Sequence, residues 1–330
     1  VKKAFLIVMS LAVLSMSGCA SGAAPSPSPT PSPSPAKITL AMGFIPNVQF
    51  APFYVALDQG YFADENLEID FDYGMETDLL NLVGTGALQF AVASGDQVIL
   101  ARGQGLPVVY VMTYFQRFPV AVASLDLPLE KPSDLIGHTV GIPAPGASYN
   151  GWLALLYATG IAQDEIPIEF IGYTQVASLT EGRIDAAVVY AANEPVQLRH
   201  EGYDPYLIYV ADYINLVSNG LITNEQTIAE NPELVGRLVR AVLRGIRYTI
   251  DHPQEAFEIC LQYVPEAGGE NRDIQMAVLE ESIKFWQSDK LGYSDPAAWQ
   301  MSQEFMLEVG LAERETDSSE MFTNDFIVEP

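Results

Sequence analysis

From about residue 37 to residue 211 the chain alternates between short apolar runs and stretches whose apolar positions recur at helical spacing. Residues 67–71 show the first pattern most cleanly: Leu67, Ile69 and Phe71 are apolar, and Glu68 and Asp70 separate them. Period two is what a strand with one buried face requires. Residues 38–42, 90–93, 108–111, 139–142, 186–189 and 206–209 read as further strands, and residues 50–57 as a helix. Helical patterns separate most of these runs. Repeated strand–helix alternation predicts an α/β protein with largely parallel sheets.

The pattern changes after Asn219. Thr223 or Asn224 is placed to cap one helix and Asn231 another, with Pro232 in the first turn of the second. Leu234, Val235, Leu238, Val239, Val242, Leu243 and Ile246 then recur at helical spacing, with Arg237, Arg240, Arg244 and Arg247 on the other faces. The chain reads as mostly helical to about residue 309, with a poorly ordered acidic tail from Glu313.

Two blocks echo each other. Residues 86–92 form a turn and a buried strand, followed by Asp96, Gln97, Arg102 and Gly105; residues 182–188 do the same, followed by Asn193, Glu194, Arg199 and Gly202. Each block is a strand, a polar loop and a helix. Chance likeness between two βα units is the alternative. If the repeat is real, Asp96 and Asn193 stand at the carboxyl ends of strands, where ligands bind in open α/β sheets. We therefore expect two lobes with a cleft between them: lobe one from residues 37–124 and 219–330, lobe two from residues 125–218. The chain would cross near Leu125–Pro128 and again over residues 212–218, and two crossings make a hinge.

Length and composition narrow the class. Roughly 290 residues past the N-terminal region suit two lobes of ordinary domain size. Sixteen Lys+Arg against 42 Asp+Glu give a net charge of −26. Such a balance excludes nucleic acid and anionic lipid surfaces as partners, while leaving the local field of a deep site open. The two cysteines are Cys19 and Cys260. If Cys19 is modified, no disulfide within the chain and no thiolate metal cluster is available, and Cys260 in its helical pattern reads as a small buried hydrophobe.

The first residues concern the compartment. Lys2 and Lys3 precede an apolar run from Ala4 to Ser15, and Met16, Ser17 and Gly18 lead into Cys19. This is the layout of a lipoprotein signal over residues 1–18, with Cys19 carrying the lipid (palmitate among its acyl chains); an ordinary secretory signal is the other reading. Residues 19–36 are dominated by alternating Pro and Ser, which favours an extended, semi-rigid tether. The expected location is the extracytoplasmic face of the cell membrane.

Gly43, Phe44, Ile45, Pro46, Asn47, Val48, Gln49, Phe50, Ala51 and Pro52, then Gly60, Tyr61 and Phe62, form a specific run. With residues 131–141 and 182–186 and the segment Tyr190, Ala191, Ala192, Asn193, Glu194, Pro195, it resembles the substrate-binding proteins for thiamine pyrimidine precursors and their relatives for riboflavin, alkanesulfonates and nitrate. The resemblance covers nearly all of the chain past the tether. It implies a type II periplasmic-binding-protein fold, an ABC permease and ATPase as partners, no cofactor and no enzymatic activity. In the pyrimidine branch a Trp stands two residues before the Pro-Asn motif and a His a few residues after it; Phe44 and Phe50 occupy those places here. Fungal relatives consume a histidine of their own chain with the help of a cysteine-rich iron motif, and this chain has Phe50 there and no cysteine cluster. These departures place riboflavin first as ligand, a thiamine pyrimidine precursor second, and alkanesulfonate or nitrate third.

The candidate site follows. Asn47 either meets a heterocycle edge or caps a helix. Phe44, Phe50 and Tyr54 either line the cleft or pack into lobe one. Tyr114 is the better cleft candidate of Tyr110, Tyr114 and Phe115, and Asp96 lies at the other rim or caps its helix. Gly146 and Ser148 open a helix whose free amides attract anions or carbonyl oxygens, with Tyr149 and Trp152 as stacking faces. Tyr190, Asn193 and Glu194 leave a strand of lobe two; Glu194 pairs with ring N–H donors and opposes anions, or stabilises the start of its helix. Arg117 is the only cation that falls near a rim. His138, His200 and His252 are scattered and call for no metal.

Overall fold

The computed structural model of the chain describes residues 34–143 and 146–328. Cys19, the 1–18 signal and nearly all of the 19–36 tether lie outside the described residues.

The described strands are β1 (Ala36–Met42), β2 (Leu67–Tyr73), β3 (Phe90–Ser94), β4 (Val108–Thr113), β5 (Val120–Ser124), β6 (Val140–Ile142), β7 (Ile168–Phe170), β8 (Ala186–Tyr190), β9 (Tyr206–Tyr209) and β10 (Asn219–Asn224). They form two five-stranded sheets, ordered β2-β1-β3-β10-β4 and β7-β6-β8-β5-β9. In the first, β1 runs parallel to β2 and β3 while β10 is antiparallel to β3 and β4. The second repeats this plan, with β6 parallel to β7 and β8, and β5 antiparallel to β8 and β9. The strands of the two echoing blocks, β3 and β8, hold the middle of their sheets.

The structure corrects one boundary. β5, assigned to lobe one by the sequence, pairs with β8 and β9 of the second sheet, so the first crossing is the segment between Thr113 and Val120. Its apolar, alternating sequence fits either sheet equally, and only the pairing partner distinguishes them. Three strands were not expected at all: β5, β7 and β10. β7 is a three-residue edge strand with two exposed positions, too short to show a period, and β10 places only Leu221 and Ile222 between polar or glycine ends.

Thirteen helices cover the sheets among the described residues. On the first lie α1 (Ala51–Asp58), α2 (Tyr61–Asp64), α3 (Glu76–Gly84) and α4 (Gly95–Gly103). The second carries α5 (Ala147–Thr159), α6 (Gln175–Thr180) and α7 (Glu194–His200). The chain then continues through α8 (Glu225–Glu230), α9 (Pro232–Asp251), α10 (Pro253–Cys260), α11 (Arg272–Trp286), α12 (Pro296–Glu308) and α13 (Ser318–Met321). Asn224 caps α8 by accepting from Thr227 N at 2.7 Å, and Asn231 caps α9 by accepting from Leu234 N at 3.1 Å. The apolar stripe of α9 is buried, and its arginines hold α2: Arg240 pairs with Glu65, Arg244 with Asp64 and with the Tyr61 ring. Gly245 lets α9 approach α1, since a Cβ there would lie 2.1 Å from the Pro52 carbonyl oxygen.

The acidic tail is packed, contrary to the sequence expectation. Met321 is fully buried, Phe322 stacks on Trp299 at 5.1 Å, and Arg102 reaches both Glu225 and the Glu320 carbonyl. The apolar pair Met321-Phe322 within an acidic run supplies the anchor. Cys260 is free and buried, and burial pushes its thiol up to about 12.

Candidate functional site

Parallel strands bring their carboxyl ends, and the helices that follow them, to one edge of a sheet. Both sheets turn that edge toward a shared cavity of about 880 Å³. Residues after β1 (Gly43, Phe44, Asn47), β2 (Glu76), β3 (Gln97) and β4 (Tyr114, Phe115) line it from one lobe; residues after β6 (Gly146, Ser148), β7 (Tyr173, Gln175) and within and after β8 (Tyr190, Asn193, Glu194) line it from the other. Asn219 joins them because antiparallel β10 begins where its neighbours end.

Of the residues singled out from sequence, Phe44, Asn47, Phe50, Tyr114, Ser148, Tyr190, Asn193 and Glu194 line this cavity. Phe44 is 38% exposed and faces Tyr173 of the other lobe with ring centroids 6.1 Å apart. Asn47 accepts from Gln49 N and donates to the Ile45 carbonyl, both at 2.8 Å, so one acceptor and one donor site of its amide hold the turn it caps. Tyr114 stacks on Trp286 at 5.2 Å and donates to the Gln49 carbonyl, forming part of the floor with Phe115.

Tyr54, Asp96, Tyr149 and Trp152 lie elsewhere. Tyr54 is fully buried in lobe one, stacked on Tyr263 at 4.7 Å and bonded to the Tyr73 hydroxyl at 2.9 Å. It sits one helical turn beyond Phe50, on the same side of the helix but beneath the cavity wall. Trp152 is fully buried in the core of the second lobe, one turn deeper than Ser148. Tyr149, about 100° around the helix from Ser148, packs on Phe170 and accepts from Gln163 at 3.1 Å. Asp96 accepts from Asn150 at 2.5 Å, a contact behind the cleft, because α4 starts directly at Gly95 without a loop and turns Gln97 to the cavity instead.

Sequence reasoning missed Glu76, Gln97, Tyr173, Gln175 and Asn219. The strand-end rule applied to residues 67–73 points to Glu76; nothing in the sequence signals Tyr173 while β7 goes unrecognised.

Four helices begin at the cavity: α3, α5, α6 and α7. Glu76 and Glu194 occupy the first turns of α3 and α7, where the helix field favours a carboxylate. Glu194 accepts from Tyr190 N at 2.8 Å and from Asn193 Nδ2 at 3.1 Å. Burial raises its carboxyl, and these bonds hold part of that rise back. Glu76 accepts from Ser94 Oγ at 2.6 Å; burial first, then the Asp96 charge, push it up to about 7 against that bond. The first turn of α5 holds no acidic residue, and Gly146 before it, at φ 123°, caps it with no side chain, so its amides are open to a ligand oxygen.

Glu76, Glu181, Glu194 and Glu201 are the ionisable carboxylates of the wall, and no Lys, Arg or His is among the described lining residues. Arg117 is engaged elsewhere: it pairs with Asp212 at 2.5 Å and lies over the Tyr209 and Phe285 rings.

Two sheets of this order, joined by two crossings over an interlobe cavity, define the type II periplasmic-binding-protein fold. The periplasmic aliphatic sulphonate binding protein SsuA of Escherichia coli superposes with a TM-score of 0.72 at 13% identity, covering 90% of this chain and 95% of that one. Residues 47–256 match the family described as NMT1/THI5 like, and the chain belongs to that family. It is 45% identical over 301 residues to a protein of Chloroflexus aurantiacus named riboflavin-binding protein RibY, covering 88% of this chain and 86% of that one. It is 31% identical to a formylaminopyrimidine-binding protein of Halalkalibacterium halodurans, covering 85% and 84%. Weaker relatives include proteins named 4-amino-5-hydroxymethyl-2-methylpyrimidine phosphate synthase.

Proposed function

We propose that the chain is the substrate-binding component of an ABC importer, anchored by a lipid on Cys19 at the extracytoplasmic face, and that its cargo is riboflavin. The observation that carries this reading is the make-up of the cavity wall: aromatic rings, amides and four carboxylates with no basic residue among the described lining. Such a wall suits a flat, uncharged heterocycle bearing both N–H groups and carbonyl oxygens. The carboxylates accept from ring N–H groups, the open α5 amides donate to ring carbonyls, and Phe44 and Tyr173 offer faces for stacking. A cavity of about 880 Å³ has room for a three-ring ligand and its side chain. The 45% identity to a protein named for riboflavin binding supports the same ligand.

A sulfonate or nitrate would meet Glu76 and Glu194, with no Lys, Arg or His among the described lining residues to offset them. A synthase that consumes its own histidine is disfavoured by Phe50, which carries no reactive atom at the position where the resemblance puts that histidine. Bound to both lobes, the ligand favours the closed state by its differential contacts, and the closed form is what the permease reads.

Titration of the protein into riboflavin tests the proposal. Flavin emission should be quenched and saturate at one equivalent, and calorimetry with an aminopyrimidine should show much weaker binding. Unquenched flavin at micromolar protein, together with tight aminopyrimidine binding, would replace riboflavin by the pyrimidine precursor.

A further inference from the structure

Glu76 is tied into a chain of hydrogen bonds that spans the cleft. Its Oε2 accepts from Ser94 Oγ at 2.6 Å, its Oε1 accepts from Asn219 Nδ2 at 3.3 Å, and Asn219 Oδ1 accepts from the Tyr190 hydroxyl on the opposite lobe at 2.8 Å. The carboxylate is thereby fixed in orientation at the start of α3 while keeping free lone pairs, since each carboxylate oxygen has two acceptor sites. Its close seat depends on Gly43, where a Cβ would stand 2.8 Å from Glu76 Cγ. The titratable groups close enough to act on it are Asp96 of α4, through its charge, and Tyr190 of β8. None of them is a cation.

We propose that Glu76 is the specificity-determining residue by which the cleft accepts an uncharged ring with an N–H donor and rejects the phosphorylated form of the same ring. The inference rests on the reading of the cavity as a binding site for a neutral heterocycle. In a site shielded from water, like charges repel several times more strongly than in bulk solvent. Glu194 adds to the same field from the other lobe, while Glu181 and Glu201 are exposed and Glu181 is paired with Arg183 at 2.9 Å. A phosphate ester of the ligand would have to be hydrolysed outside the cell before capture, so a phosphatase-type reaction would precede uptake. The carboxyl's ordinary range is also displaced upward to about 7, which brings its charge under the control of near-neutral pH.

The experiment is a calorimetric comparison of riboflavin and riboflavin 5′-phosphate on the wild-type protein and on Glu76→Gln at pH 7.5, with riboflavin repeated at pH 6 and pH 8. Wild type should bind the phosphate roughly 30-fold or more weakly than riboflavin, and Glu76→Gln should lose about tenfold in riboflavin affinity and narrow the gap to within about fivefold. Wild-type affinity for riboflavin should rise from pH 6 to pH 8 as the carboxyl ionises, and Glu76→Gln should lose most of that rise, which a purely structural role would not produce. Should Glu76→Gln not fold, Glu76→Ala, which likewise removes the charge, is read in the same way. A folded Glu76→Gln with wild-type discrimination overturns the inference, as does a wild type that binds both flavins alike. If wild type binds neither flavin, riboflavin fails as cargo, and the same comparison with an aminopyrimidine and its phosphate ester decides the role of Glu76. A protein that binds none of the four overturns both.

Discussion

Phe50 and Tyr54 stand four residues apart, as do Ser148 and Trp152, and in each pair the first residue lines the cavity while the second is buried beneath it. One helical turn separates binding from stability. Trp152→Ala should therefore cost about 3–5 kcal/mol in chemical denaturation. Tyr54→Phe should cost about 1 kcal/mol through loss of its bond to Tyr73 and leave flavin quenching unchanged. Phe44→Ala should do the reverse, weakening ligand binding by roughly 1 kcal/mol at an unchanged melting temperature. Glu76 also makes stability depend on pH. Its folded pKa is raised, so the native state holds a proton that the unfolded chain has released. Stability of the ligand-free protein should fall as pH rises from about 4.5 to about 7, and the slope should be shallower in Glu76→Gln by differential scanning calorimetry at several pH values.

Helices matter here for where they begin and how closely they pack. α3, α5, α6 and α7 all start at the cavity because each follows the carboxyl end of a parallel strand. Glu76 and Glu194 place a carboxylate in the first turns of α3 and α7, and the first turn of α5 carries none. Far from the site, α9 and α1 are in backbone contact at Gly245. Gly245→Ala should push the two helices apart and destabilise the protein by about 1–3 kcal/mol. The same denaturation series would detect it, and an unchanged midpoint would show that α1 yields without cost.

At the scale of the molecule, the chain passes between lobes through the segments that follow β4 and β9, and Arg117 and Asp212 tie those two segments together. The cavity wall is divided between the lobes, so a ligand touching both stabilises the folded, closed arrangement. At a hundredfold excess over the dissociation constant, riboflavin should add about 2.7 kcal/mol of stability. Small-angle scattering should show a smaller radius of gyration with ligand than without, and identical curves would argue against closure.

The sequence by itself determined the fold class and the two-lobe plan. Period-two runs such as residues 67–71 and the paired blocks around Phe90 and Ala186 are local patterns that burial of one face imposes. The Pro46-Asn47 run and the Tyr190 to Glu194 segment marked both walls of the cleft for the same reason: their signals lie within a few consecutive residues. Tertiary structure decided the rest. β5 belongs to the second sheet only because β8 and β9 are its partners, and the acidic tail is ordered only because Trp299 waits for Phe322. How far a helix reaches beneath the cavity and which side it turns to it depend on how it docks, so Tyr54 and Trp152 went to the packing one turn down, Tyr149 to the side, and Asp96 to Asn150. Glu76, Ser94, Asn219 and Tyr190 are scattered over more than a hundred positions of the chain, and only folding strings them into one hydrogen-bonded chain.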